Sequence, residues 1–105
     1  MKLKEFGASS KTNKRFRAVF QTSEGRTRTT HFGQRNTDGS FPQTFLDGAS
    51  PAKRKAFLAR HKSDLQTKDP LRAGFLSYFI VWGPSRKVET NLKAYLKRFH
   101  ILDAR

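Results

Sequence analysis

From Lys14 onward the chain alternates, with Phe16, Ala18 and Phe20 on one side and Arg15, Arg17 and Val19 on the other. A period of two is the mark of a strand with one face buried and one face wet. Thr22-Ser23-Glu24-Gly25 follows as a turn, in which Gly25 is free to take positive φ. Arg26-Thr27-Arg28-Thr29-Thr30-His31-Phe32 is rich in β-branched Thr and reads as the return strand, closed by Gly33. A β-hairpin over about 14–33 is therefore the anchor for the rest of the chain. Arg15 and Arg17 point away from the Phe16/Phe20 face, and on the partner strand Arg28 and Thr30 alternate with Thr27, Thr29 and His31. The hairpin thus presents a ribbon of guanidinium and hydroxyl donors suited to a phosphate backbone.

The period changes after residue 49. Residues 34–49 have no repeat and collect Gly39, Pro42 and Gly48, so they form a long connection. A wholly free loop of this length is unusual in a compact domain, so Phe41 and Phe45 are expected to plug the core rather than stack on unpaired bases. Ser50-Pro51 is an N-cap with Pro at the first helical position, and Asp69-Pro70 repeats the signal. Ser85 caps a third helix with a stripe of Val88, Leu92, Tyr95, Leu96 and Phe99. The second helix is apolar nearly all round, as a buried one should be. The expectation is an α+β fold: an N-terminal β-hairpin (about 14–33) packed on three C-terminal helices (about 51–67, 70–82 and 86–99). Residues 1–13 are polar and read as a flexible basic arm ahead of a single α+β domain over 14–105. With 35% hydrophobic residues but ten Phe, the core should be small and built on aromatic rings.

Charge carries the functional signal. Twenty-two Lys and Arg face eight Asp and Glu, a formal net charge of +14 and a pI near 11.0. Small soluble domains usually carry a net charge of magnitude roughly 2–8, and a larger excess costs stability by self-repulsion unless anions screen it. Residues 1–35 hold +7, residues 50–68 hold +5 and residues 69–105 hold +4, while 36–49 hold −2, so the excess lies on folded elements. The residues expected to meet a polyanion are Lys14, Arg15, Arg17, Arg26 and Arg28 on the hairpin, and Lys53, Arg54, Lys55, Arg60 and Lys62 on the first helix. Nucleic acid, DNA first, is the expected partner; acidic protein surfaces and peripheral contact with anionic lipid are the other counter-surfaces. Lys53-Arg54-Lys55 also fits a localisation signal, but a phosphate-contacting helix face is the better account.

Several chemistries lack their residues. The chain has no cysteine, which excludes disulfides, thiolate metal sites and a Cys nucleophile. His31, His61 and His100 have no metal-ligand spacing, and no metal or cofactor is expected. Asp38-Gly39 and Asp47-Gly48 are turn pairs and Asp69 is a cap, so no acidic pair suggests a two-metal site. Arg60-His61 with Asp64 can orient an imidazole, but neither a nucleophile nor a pocket is evident, and no enzyme is expected. The longest apolar run, Phe75 to Trp82, spans eight residues and includes Ser77, far short of a membrane crossing. Lys2 and Lys4 are not followed by an apolar core, so no signal peptide is expected.

The order of short motifs carries a resemblance. Lys14-Arg15-Phe16-Arg17-Ala18-Val19-Phe20 leads through Gly25-Arg26 to Thr30-His31-Phe32-Gly33. Lys53-Arg54-Lys55-Ala56-Phe57-Leu58-Ala59-Arg60-His61, Asp69-Pro70, Ala73-Gly74-Phe75-Leu76-Ser77, Trp82-Gly83 and Lys97-Arg98-Phe99 follow. This series resembles an uncharacterised family of small basic proteins of nucleocytoplasmic large DNA viruses, the giant viruses of algae and amoebae. The resemblance implies a virion or virus-factory setting, with the packaged genome or capsid proteins as partners. It transfers no catalytic residue. It adds a second function, that of a minor capsid protein bridging capsid subunits to each other, to the inner membrane or to the genome.

Overall fold

The computed structural model describes residues 1–105 and divides them into two compact units, one of Met1–Pro42 with Leu96–Arg105, the other of Gln43–Tyr95. The elements are three N-terminal strands, then the helices, then a short last strand that joins the sheet, an α+β fold as expected from the sequence.

The first unit is a four-stranded sheet in the order β3-β2-β1-β4. Strands β2 (Lys14–Gln21) and β3 (Thr27–Gln34) are the expected hairpin, paired antiparallel with Phe16 opposite Phe32 and Phe20 opposite Arg28. The turn closes through Thr22 N–H to the Arg26 carbonyl at 2.8 Å, with Gly25 at φ +82°. The expected flexible arm is instead strand β1 (Lys2–Ala8), antiparallel to β2, with an irregularity between Leu3 and Glu5. Leu3 and Phe6 supply the apolar contacts that a polar arm would lack: Leu3 is fully buried, and the Phe6 ring lies 5.7 Å from Phe16 and 6.0 Å from Phe32. Phe16 and Phe32 are 5.5 Å apart, so one ring from each of the three long strands meets in a single cluster. The short strand β4 (Leu102–Asp103) runs parallel to β1, with Leu102 N–H donating to the Met1 carbonyl. Val19, expected on the wet face, is buried next to Ala18 and Phe20, as suits the middle of an inner strand.

The second unit holds the helices. Ser50 caps α1 (Pro51–His61), accepting the Lys53 N–H at 3.1 Å, and Pro51 supplies a preset φ at the first position. The expected helix to residue 67 continues only as a 3-10 stretch, Lys62–Thr67, which ends at Lys68 with φ +56°. Asp69 accepts the Leu71 N–H at 3.1 Å, but Pro70 opens a turn, and α2 begins only at Ala73. After Leu76 the helix widens to a π turn over Ser77–Val81. This widening explains the apolar run. Phe75 and Leu76 are buried, and so are Ile80 and Val81 five residues on, positions that an α-helix sets about 140° apart. The chain then turns at Gly83, where a Cβ would lie 2.4 Å from the Phe79 carbonyl oxygen and 2.5 Å from Asn91 Cγ. Helix α3 (Val88–Arg98) starts two residues later than expected and is followed by a turn in which His100 takes φ +56°. Its last turn, from Leu96, belongs to the first unit.

A candidate polyanion-binding surface

In the sheet unit two groups of basic residues form around other side chains. The first surrounds His31. Arg17 pairs with His31 across the strands, so the two share a face. Ser9 Oγ lies 2.7 Å from His31 Nδ1 and also accepts the Lys11 N–H. The imidazole is held below its ordinary value of 6.5, first by partial loss of water and then by the positive charges of Lys11, Arg17 and Lys14. Each of those three cations therefore acts on the same imidazole. Glu5 answers only one of them, at 3.0 Å from Arg17.

The second group surrounds Phe41. The Arg15 guanidinium lies 5.0 Å from the Phe16 ring centroid and 4.4 Å from that of Phe41, and the Arg35 guanidinium lies 5.4 Å from Phe41. Phe41 is 43% exposed, which corrects its expected place in the core; Phe45, at 8%, does plug the core of its own unit.

The expected ribbon along one face of the hairpin does not form. Arg28 sits opposite Phe20 in the register, on the aromatic face, whereas Arg17 lies on the other. Phe32 marked this phase in the sequence, since counting back by twos reaches Thr30 and Arg28. Arg26 is exposed in the turn. Lys11 and Arg35, absent from the expected set, are the cations that complete the two groups. They lie in a turn and a loop, where no periodicity points to them.

In the helical unit, the run Lys53-Arg54-Lys55 is not one face, because successive residues are about 100° apart on a helix. Arg54 is turned inward. Its Nε donates to the carbonyls of Trp82 at 2.9 Å and Gly83 at 3.2 Å, and its guanidinium lies 5.6 Å from the Phe45 ring. Arg86 does similar structural work, donating to the Phe45 carbonyl at 3.0 Å. Lys53, Lys55, Arg60 and Lys62 are exposed. His61 is partly exposed and lies 4.2 Å from the Phe57 ring, which itself stacks on Trp82 at 4.5 Å with the planes 9° apart. Its Nδ1 lies 3.2 Å from Asp64 Oδ2. No helix is long and apolar enough to cross a membrane.

The fold and these surfaces define a small, strongly basic α+β protein. Residues 4–61 match the model of a family of unknown function, DUF5754, and the chain belongs to that family. The match runs from β1 through α1, and so includes both groups of cations in the sheet unit. No curated protein and no solved structure matches the chain.

Proposed function

We propose that the protein binds nucleic acid, DNA first, without sequence preference, through Lys and Arg contacts to phosphate. One observation carries this reading. Even if every one of the eight carboxylates neutralised a cation, fourteen cations would be left, and Lys11, Lys14 and Arg17 each lie near enough to His31 to oppose its protonation. Exposed Lys53, Lys55, Arg60 and Lys62 add positive charge along and just after α1. Phosphates answer such charge and release condensed counterions as they do so. The test is fluorescence anisotropy with a labelled duplex across a salt series. Micromolar affinity at about 50 mM salt, falling by orders of magnitude by about 200 mM, is expected. Replacing Lys11 and Lys14 with Glu should weaken binding and flatten the salt slope. Absence of binding at low salt, or binding indifferent to salt, refutes the reading.

A second reading, a minor structural protein of a virion that bridges capsid subunits, draws on the sheet edge. Strand β3 has a neighbour on one side only and runs eight residues, Thr27–Gln34, with no Pro to block pairing. On this reading the protein works in a virion or virus factory, and quantitative mass spectrometry of purified particles should find it at fixed copy number. Absence from particles ends that reading.

A further inference from the structure

The aromatic cluster of the sheet continues outward. Phe32, fully buried, lies 5.5 Å from Phe16; the Arg15 guanidinium is near both Phe16 and Phe41; Arg35 approaches Phe41 in turn. The series ends at Phe41, the one aromatic among the large exposed apolar side chains.

The loop that carries this ring is built for its position. The Arg35 N–H donates to the Asn13 carbonyl at 3.2 Å, tying the loop to the β1–β2 turn. The Asn36 N–H donates to the Ser40 carbonyl at 2.8 Å, and the Gly39 N–H to the Asn36 carbonyl at 3.0 Å. The Asp38 carboxylate accepts both the N–H and the O–H of Ser40 at 2.9 and 2.6 Å. These bonds close the turn immediately before Phe41. Leaving part of an aromatic ring in water gives up part of the gain of burying it, and here Phe41 stays 43% exposed on a hydrogen-bonded loop, with the Arg15 and Arg35 guanidiniums over its ring. The Arg35 Nε, moreover, is buried and has no acceptor. A partly exposed ring that also packs against guanidinium groups is one way in which proteins receive an unpaired base with its flanking phosphates.

We propose that Phe41, with Arg15 and Arg35, is a stacking site for an unpaired base of single-stranded nucleic acid. The proposal rests on the nucleic-acid reading above and narrows it. A duplex offers phosphates to the cations but keeps its base faces within its own stack, whereas a single strand presents both.

Anisotropy with labelled oligo-dT, oligo-U and a short duplex, at one salt concentration, separates the two ideas. The wild-type protein should hold one or both single strands more tightly than the duplex. Phe41→Ala should weaken single-strand binding by about 5- to 100-fold and leave duplex binding within about twofold. Phe41→Trp should retain binding, and its emission should be quenched by oligo-dT. Quenching from the wild-type protein, whose single tryptophan Trp82 is 8% exposed, should be much smaller. Equal losses on all three probes, no loss on any, or a Phe41→Trp emission that oligo-dT leaves unchanged overturns the stacking site, while duplex binding keeps the broader reading intact. If the wild-type protein binds none of the probes at low salt, the broader reading falls and the stacking site falls with it.

Discussion

Asn91 fastens the passage from the π turn to α3, and its removal should be costly. The residue is 1% exposed. Its Nδ2 donates to the carbonyls of Ile80 at 2.9 Å and Ser85 at 2.7 Å, and its Oδ1 accepts the Ser85 N–H at 2.9 Å. Asn91→Ala deletes all three bonds. At a net value near 1 kcal/mol each, the loss is about 3 kcal/mol. For a chain of this size that lowers Tm by about 12–24 °C. Asn91→Asp keeps the size but sets a carboxylate against two carbonyl oxygens, so it should cost at least as much as Ala. Urea unfolding followed by Trp82 emission is the assay. Trp82 is the only tryptophan, belongs to the same unit and stacks 4.5 Å from Phe57 next to this connection. A loss below about 1 kcal/mol for Asn91→Ala, the worth of a single bond, would refute the reasoning, as would a well-tolerated Asn91→Asp.

Two further outcomes can be checked on the same instruments. His100 holds φ +56° beyond α3, where the Ile101 N–H closes on the Leu96 carbonyl at 2.9 Å. His100→Gly removes the left-handed strain and should raise stability by about 0.5–1 kcal/mol in urea unfolding; a fall would mean that the ring contributes more than the strain costs. His31 has its folded pKa depressed, so the unfolded chain binds its proton more readily, and stability should fall as pH drops from above 6.5 through the folded value. His31→Gln should flatten that part of the profile, and ring-proton NMR should show His31 titrating below 6.5; a midpoint above 6.5 would contradict the placement of Lys11, Arg17 and Lys14.

The parts of the fold that were legible in the sequence are those with local causes. Alternation of Phe16, Ala18 and Phe20 gives β2, Gly25 gives the turn, and Ser50-Pro51 starts α1, each within a few residues. Strand β1 was illegible because its strandness comes from pairing with β2, which Lys2–Ala8 does not announce by any alternation. The π turn was hidden for a similar reason, since residues apolar on every side fit either helix type until burial selects one. For the candidate surface, composition showed that cations dominate, but not which of them meet. Arg54 looked like part of an exposed basic run, yet two backbone carbonyls claim it. Phe41 looked like core, yet it stays 43% exposed with two guanidiniums over its ring, because a hydrophobic residue in an aperiodic loop carries no phase to say which way it faces.

The parallel pairing of β4 with β1 sets an order of events in synthesis. Lys2 waits for Leu102, so the outer rung of the sheet closes only after nearly a hundred residues have been added. Until then β1 leaves the ribosome with one edge bare, beside a hairpin that can already form. Joining ends so far apart costs chain entropy that neighbouring strands do not pay. The last rung should therefore be the slowest to lock and the first to fray, and a nascent chain is most open to pairing with the wrong strand before it has locked.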